Sequence, residues 1–142
     1  MLSSGTLNFL YQVGLPATDN LIDFVSTTDA TILTRWNSRY LTVGRCAGMP
    51  LCIKIGEDER VILLSEKEVY VNKNIESFFK SLYTCDYFHE MVIENKLGIL
   101  SEKRQDYVNY LSHTLTDIDP AIQYQDYFWM GIVESLKLGL IY

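Results

Sequence analysis

The sequence predicts an α+β fold: a mostly antiparallel sheet of about five or six strands flanked by helices, with the helices concentrated in the C-terminal half. Three observations predict it. Short runs of alternating apolar and polar residues recur between Thr31 and Asn72. The links between those runs are too short for the long crossovers that parallel neighbours need. From Ile75 onward the apolar residues fall at steps of three and four, the spacing of a helix with one buried face. Strands grouped first and helices grouped afterwards mark the α+β class.

Each element has a local reason. Ser4 can cap a short N-terminal helix that places Leu7, Leu10 and Tyr11 on one face, and Gly14 followed by Pro16 ends it. Thr31 to Trp36 reads as a strand rich in Thr, Ile and Leu. Leu41 and Val43 alternate with Tyr40 and Thr42 in the next, and Leu51, Ile53 and Ile55 alternate with Cys52 and Lys54 in the one after. Gly44 to Gly48, leading into Met49-Pro50, reads as a turn. Gly56 to Arg60 is a polar hairpin link into Val61 to Ser65, and Val69 and Val71 carry the alternation to Asn72.

The helical half opens with Asn74 as cap and Ile75, Phe78, Phe79, Leu82 and Tyr83 on one apolar face, in a helix extending to about Glu94. Leu97 to Leu100, with Gly98, is a break. Ser101 opens the next helix, striped by Tyr107, Val108, Leu111 and Leu115. Asp119 and Pro120 suit the start of another turn, and Phe128, Trp129, Ile132, Val133 and Leu136 form a last amphipathic helix ended by Gly139.

With 142 residues, 48% hydrophobic and 21% charged, the chain is expected to form one domain, 1–142, able to bury a core without disulfide or metal staples. Its formal charge of −6, from 12 basic and 18 acidic residues, opposes binding to phosphate backbones. A basic protein is the better-matched partner. The three cysteines, Cys46, Cys52 and Cys85, form neither an even disulfide framework nor paired metal spacing. The first charge is Asp19, but no basic segment precedes the interrupted apolar stretch before it, so a signal peptide is not expected. No apolar run reaches the roughly 18 residues of a membrane helix. A cytoplasmic protein is the expectation.

No catalytic, cofactor or metal set is assigned. Cys85 and His89 stand one helical turn apart, yet two ligands do not close a zinc site, and a packed thiol with a surface or satisfied histidine is the reading taken. Cys52 lies in an alternating strand, where it serves as filler rather than as a nucleophile. Glycine-rich phosphate loops and serine elbows are both absent from the sequence. The acidic residues carry more information. Asp86, Glu90 and Glu94 recur at four-residue steps and stack like charge along one helix face. Glu57, Asp58 and Glu59 crowd the tip of a hairpin. Both groups are candidate contacts for a basic partner, set against a reading in which they are merely solvated. Trp129 is expected in the core with most of the ten tyrosines, while Tyr124 and Tyr127 are candidates for exposure.

The stretches FLYQVGLP from Phe9 to Pro16, RYLTVGR from Arg39 to Arg45, LCIKI, VYVNKNIESFFKSL from Val69 to Leu82 and IDPAIQYQDYFW from Ile118 to Trp129 follow one another in an order that resembles the SUKH superfamily. These are bacterial immunity proteins of the Smi/Knr-like fold. The resemblance implies a protein that binds and neutralises a cognate toxin encoded beside it, in a polymorphic toxin system. It also implies that Gly44, Asn72, Phe78 and Trp129 serve the fold, and it carries over no catalytic residue. The acidic charge suggests a basic toxin such as a nuclease. The alternative from another class is a regulatory or scaffold module that binds a protein unrelated to toxins, and a small cysteine hydrolase using Cys52 or Cys85 is a third reading.

Overall fold

A computed structural model describes residues 2–12, 22–25, 30–56, 58–124 and 128–139. Among them the fold is α+β, with a six-stranded antiparallel sheet and the longer helices in the C-terminal half. The chain divides into two compact units, Met1–Glu76 and Ser77–Tyr142. The expected helix stop at Gly14 and Pro16, Glu57 of the acidic tip, and Tyr127 lie outside the described residues.

In the first unit, α1 (Ser4–Gln12) precedes β1 (Asp23–Phe24), β2 (Ile32–Arg35), β3 (Ser38–Cys46), β4 (Met49–Ile55), β5 (Val61–Leu64) and β6 (Glu68–Asn72). The sheet runs β1-β3-β4-β5-β6, and β2 also pairs with β3. Because β4 occupies one side of β3 from Arg39 to Cys46, both β1 and β2 lie along its other side. There β2 takes Ser38 to Leu41 and β1 takes Gly44 and Arg45. Leu51, Cys52 and Ile53 of β4 and all of β5 are buried, so the middle of the sheet is covered on both faces. Tyr40, Cys52, Ile62 and Leu64 cluster on one of those faces.

Gly44 is where the edge strand comes closest. A methyl group there would stand 2.8 Å from the Asp23 carbonyl oxygen and 3.1 Å from Ile22 Cγ2, so only glycine lets β1 approach beside the irregularity between Thr42 and Gly44.

Three local expectations change. Gly44 to Gly48 is not a turn throughout: β3 pairs with β4 as far as Cys46, and only Ala47 and Gly48, at φ 50° and 81°, make the turn. Trp36 does not end a strand but opens the two-residue turn between β2 and β3. Trp36 and Asn37 have φ of 50° and 60°, the left-handed pair that matches the twist of a tight hairpin, and Trp36 is 48% exposed. The cap of α1 is Ser3 rather than Ser4. Ser3 Oγ accepts the Thr6 N–H at 3.2 Å, while Glu59 accepts the Ser3 N–H at 2.8 Å and the Thr6 hydroxyl at 3.2 Å. In a local capping box the third helical residue supplies that carboxylate. Here Thr6 holds the position, and Glu59 completes the box from the loop between β4 and β5.

The helices of the second unit are α2 (Ile75–Glu94), which begins just inside the first, then α3 (Glu102–Ile118), a 3-10 turn (Pro120–Tyr124) and α4 (Trp129–Leu138). Along α2 the apolar positions Ile75, Phe78, Phe79, Leu82, Cys85 and Val92 are buried. It ends with Lys96 in the left-handed region at φ 51°, where the Leu97 N–H reaches the Val92 carbonyl and the Lys96 N–H the Ile93 carbonyl. Ser101 caps α3 by accepting the Arg104 N–H, and Asp119 Oδ1 accepts the Ala121 N–H at 3.2 Å to start the 3-10 turn. Trp129 is 1% exposed, with its ring 6.0 Å from Phe78 and 4.8 Å from Phe128. Gly139, at φ 69°, closes α4 as expected.

Candidate partner-binding face

The long helix α2 sorts its residues by face. Opposite the buried stripe, Lys80, Tyr83, Tyr87, Glu90 and Glu94 are exposed at steps of three and four, which aligns them along one line of the helix. Tyr83 is 53% exposed and Tyr87 58%, and Ile93 beside them is 53% exposed. Neither tyrosine hangs free. The Tyr83 ring stacks on Phe79 at 6.0 Å with a 19° interplanar angle, and the Tyr87 ring meets the edge of Phe88 at 5.4 Å and 85°. Each phenol is thereby held by an aromatic neighbour and presents its other surface to solvent, the arrangement of a rigid anchor that loses little entropy on binding.

The predicted acidic stripe is placed in part on this face. Glu90 and Glu94 are exposed beside the tyrosines, whereas Asp86 is half-buried at its margin. Sequence reading missed Tyr83 and Tyr87 as surface groups. Helical spacing from Phe79 puts Tyr83 on the apolar face; the signal that separates it is the helical line it shares with Lys80, Tyr87, Glu90 and Glu94, most of them charged.

The acidic hairpin tip is not a uniform patch. Asp58 is exposed and lies 3.4 Å from an Arg60 guanidinium nitrogen. Glu59 is only 9% exposed, its carboxylate turned inward onto the start of α1. Of the two that are described, only Asp58 presents its charge to solvent. An open cavity of about 350 Å³ adjoins this region, lined by Ser3, Thr6, Phe9, Glu59, Lys73 and Asn74 among others.

One further polar cluster organises each unit. In the sheet, Glu68 accepts the Tyr40 hydroxyl and pairs with Lys54 at 2.9 Å and Arg60 at 3.0 Å, tying β3, β4 and the start of β5 to β6. Partial burial opposes ionisation of Glu68, but the Tyr40 and Lys54 hydrogen bonds together with the Lys54 and Arg60 charges outweigh it and hold the carboxyl below its usual range. Burial raises the Tyr40 phenol, and the carboxylate beside it adds to the shift. In the helical unit, buried Arg104 binds carbonyls near the ends of two helices. Its Nη1 donates to Leu97 at 2.8 Å and its Nε to Leu136 at 3.2 Å.

Cys85 and His89 both lie on the buried side of α2, 4% and 7% exposed. Burial lowers the His89 pKa; Glu90 opposes that shift and Arg104 reinforces it. Among the described residues no group of three or more His, Cys, Asp or Glu side chains is placed to hold a metal ion. Burial raises the thiols of Cys46 and Cys52, which disfavours the thiolate a nucleophile needs. No helix among the described residues is long and apolar enough to cross a membrane. Comparison with models of protein families, with curated proteins and with solved structures returns no match.

Proposed function

We propose that this chain is an immunity-type protein of the SUKH kind, which acts in the cytoplasm by binding and neutralising a basic bacterial toxin domain rather than by catalysis. The observation that carries the reading is the exposed line on α2, where two ring-braced tyrosines stand beside Glu90 and Glu94. Aromatic anchors supply apolar area and a face for cations, and neighbouring carboxylates steer Lys and Arg of the partner toward them. The net charge of −6 extends that attraction beyond contact range.

The test mixes the purified protein with the toxin domain encoded beside its gene and measures complex formation by calorimetry and rescue of growth. A complex with protection is expected. The Tyr83→Ala/Tyr87→Ala double variant is expected to weaken binding at least about 30-fold, an effect of hot-spot size. Glu90→Lys with Glu94→Lys is expected to slow association and flatten its salt dependence. Absence of both binding and protection would sink the immunity reading. Protection that survives all four substitutions would keep it and remove α2 as the contact face.

A further inference from the structure

The outer edge of the sheet carries a second surface, independent of the helical face. Among the described residues β2 pairs only with β3, and all four of its residues are exposed. The Thr42 N–H donates to the Thr31 carbonyl at 2.8 Å, which fixes the alternation along the strand. Thr31, Leu33 and Arg35 turn their main-chain groups toward β3. Ile32 and Thr34 therefore turn theirs outward, leaving two N–H and two C=O groups along an open edge.

Proteins usually defend such an edge with charge, proline or a bulge. From Thr31 to Thr34 this one has none of these. Ile32 is 52% exposed and Leu33 37%, so each side of the strand offers apolar surface. The strand's own cation is Arg35, whose guanidinium carbon sits 4.3 Å over the Trp36 ring at the hairpin tip, while Arg39 stands on β3 opposite Thr34. At the opposite edge, β6 begins with Glu68, the centre of an ionic cluster.

We infer that this edge pairs with a second copy of the same chain, β2 against β2 about a two-fold axis perpendicular to the sheet. The axis requires facing residues to lie on the same side, which restricts the registers. Only with Leu33 opposite Leu33 do all the outward groups find partners: Ile32 of each copy faces Thr34 of the other, giving four main-chain hydrogen bonds. The same register sets Arg35 opposite Thr31, so no like charges confront each other. The two leucines form a close, non-hydrogen-bonded pair on the axis.

Four residues per strand bury an area on the order of several hundred Å², below the roughly 1,200 Å² of a stable interface. The pairing is accordingly a weak one, with a dissociation constant of roughly 10 µM to 1 mM. Each copy carries a charge of −6, so added salt strengthens it.

Sedimentation velocity over a concentration series reads the association directly. The native chain is expected to shift from monomer toward dimer with concentration, more so at higher salt, while Leu33→Lys stays monomeric with an unchanged circular dichroism spectrum. Cross-linking reads the register. Cys46 is partly accessible whereas Cys52 and Cys85 are buried, so a Cys46→Ser background isolates an introduced thiol. In that background Leu33→Cys is expected to give a disulfide-linked dimer under mild oxidation, and Ile32→Cys is not, because it faces a threonine. A native chain that stays monomeric throughout, or an Ile32→Cys variant that cross-links as readily as Leu33→Cys, overturns the inference.

Discussion

Arg104 donates Nε–H and Nη2–H to the carbonyl oxygen of Leu136, thirty-two positions away in sequence, and its remaining arm reaches Leu97. Both carbonyls lie at helix C-terminal regions, Leu97 just past α2 and Leu136 in the last turn of α4, where partial negative charge accumulates. One buried cation thus satisfies acceptors from two helices.

Arg104→Ala is therefore expected to lower unfolding free energy by about 2–4 kcal/mol, since it strips a charge-assisted donor from buried carbonyls. Arg104→Lys should recover only part of that, because a single ammonium does not span both acceptors with the geometry of the guanidinium fork. Urea denaturation of the three proteins provides the measurement. Equal stability of the lysine and native forms would count against the bridging role.

Glu59 supplies the carboxylate that a local capping box would place at Thr6. Glu59→Ala is expected to cost about 1–2 kcal/mol and to leave the first turn of α1 frayed, seen as faster amide exchange at Ser3 to Thr6. Glu59→Gln keeps one acceptor oxygen and should fall between. Exchange protection at α1 that is the same in all three would show that the bonds contribute nothing.

Glu68 links the sheet to pH. Its carboxyl sits below its usual range in the folded chain, so the folded state favours the ionised form. The resulting stabilisation is present above the unfolded value of about 4.3 and is lost as pH falls through the lower, folded value. Chemical-denaturation midpoints measured at a series of pH values from about 6 to 3 should fall toward the acid end, and less steeply for Glu68→Gln. Tyr40→Phe removes the hydrogen bond that contributes most to the lowering, so the decline should be smaller and should be complete at a higher pH. Parallel profiles for the native and Glu68→Gln proteins would remove Glu68 from the account.

At Gly44 a single methyl group collides with the main chain of β1. Gly44→Ala should cost about 1–3 kcal/mol and loosen β1 from β3 rather than disturb the β3 to β4 pairing. The amides to watch are Val25, whose N–H donates to the Val43 carbonyl, and Leu41 as an internal control. Uniform loss of protection at both would argue for a general rather than a local effect.

The sequence by itself determined the class and most of the element order, because side-chain period and turn chemistry are local properties. Alternation placed the strands from Ile32 to Asn72, three-and-four spacing placed α2 through Glu94, and Ser101, Asp119 and Gly139 act at the termini where their local chemistry put them. What only tertiary structure decided depends on which distant groups meet. Glu59 and Asp58 read alike in an acidic tip, yet one turns in to α1 and the other stays in solvent. Tyr83 read as core because it follows Phe79 at helical spacing, whereas the turn of α2 carries its ring into solvent with Phe79 as its support. Arg104 carries no local signal of its role, which exists only because the ends of α2 and α4 bring two carbonyls within reach of its guanidinium. Spacing fixes which face of a helix a residue occupies, but burial and pairing are set by what the rest of the chain brings to that face.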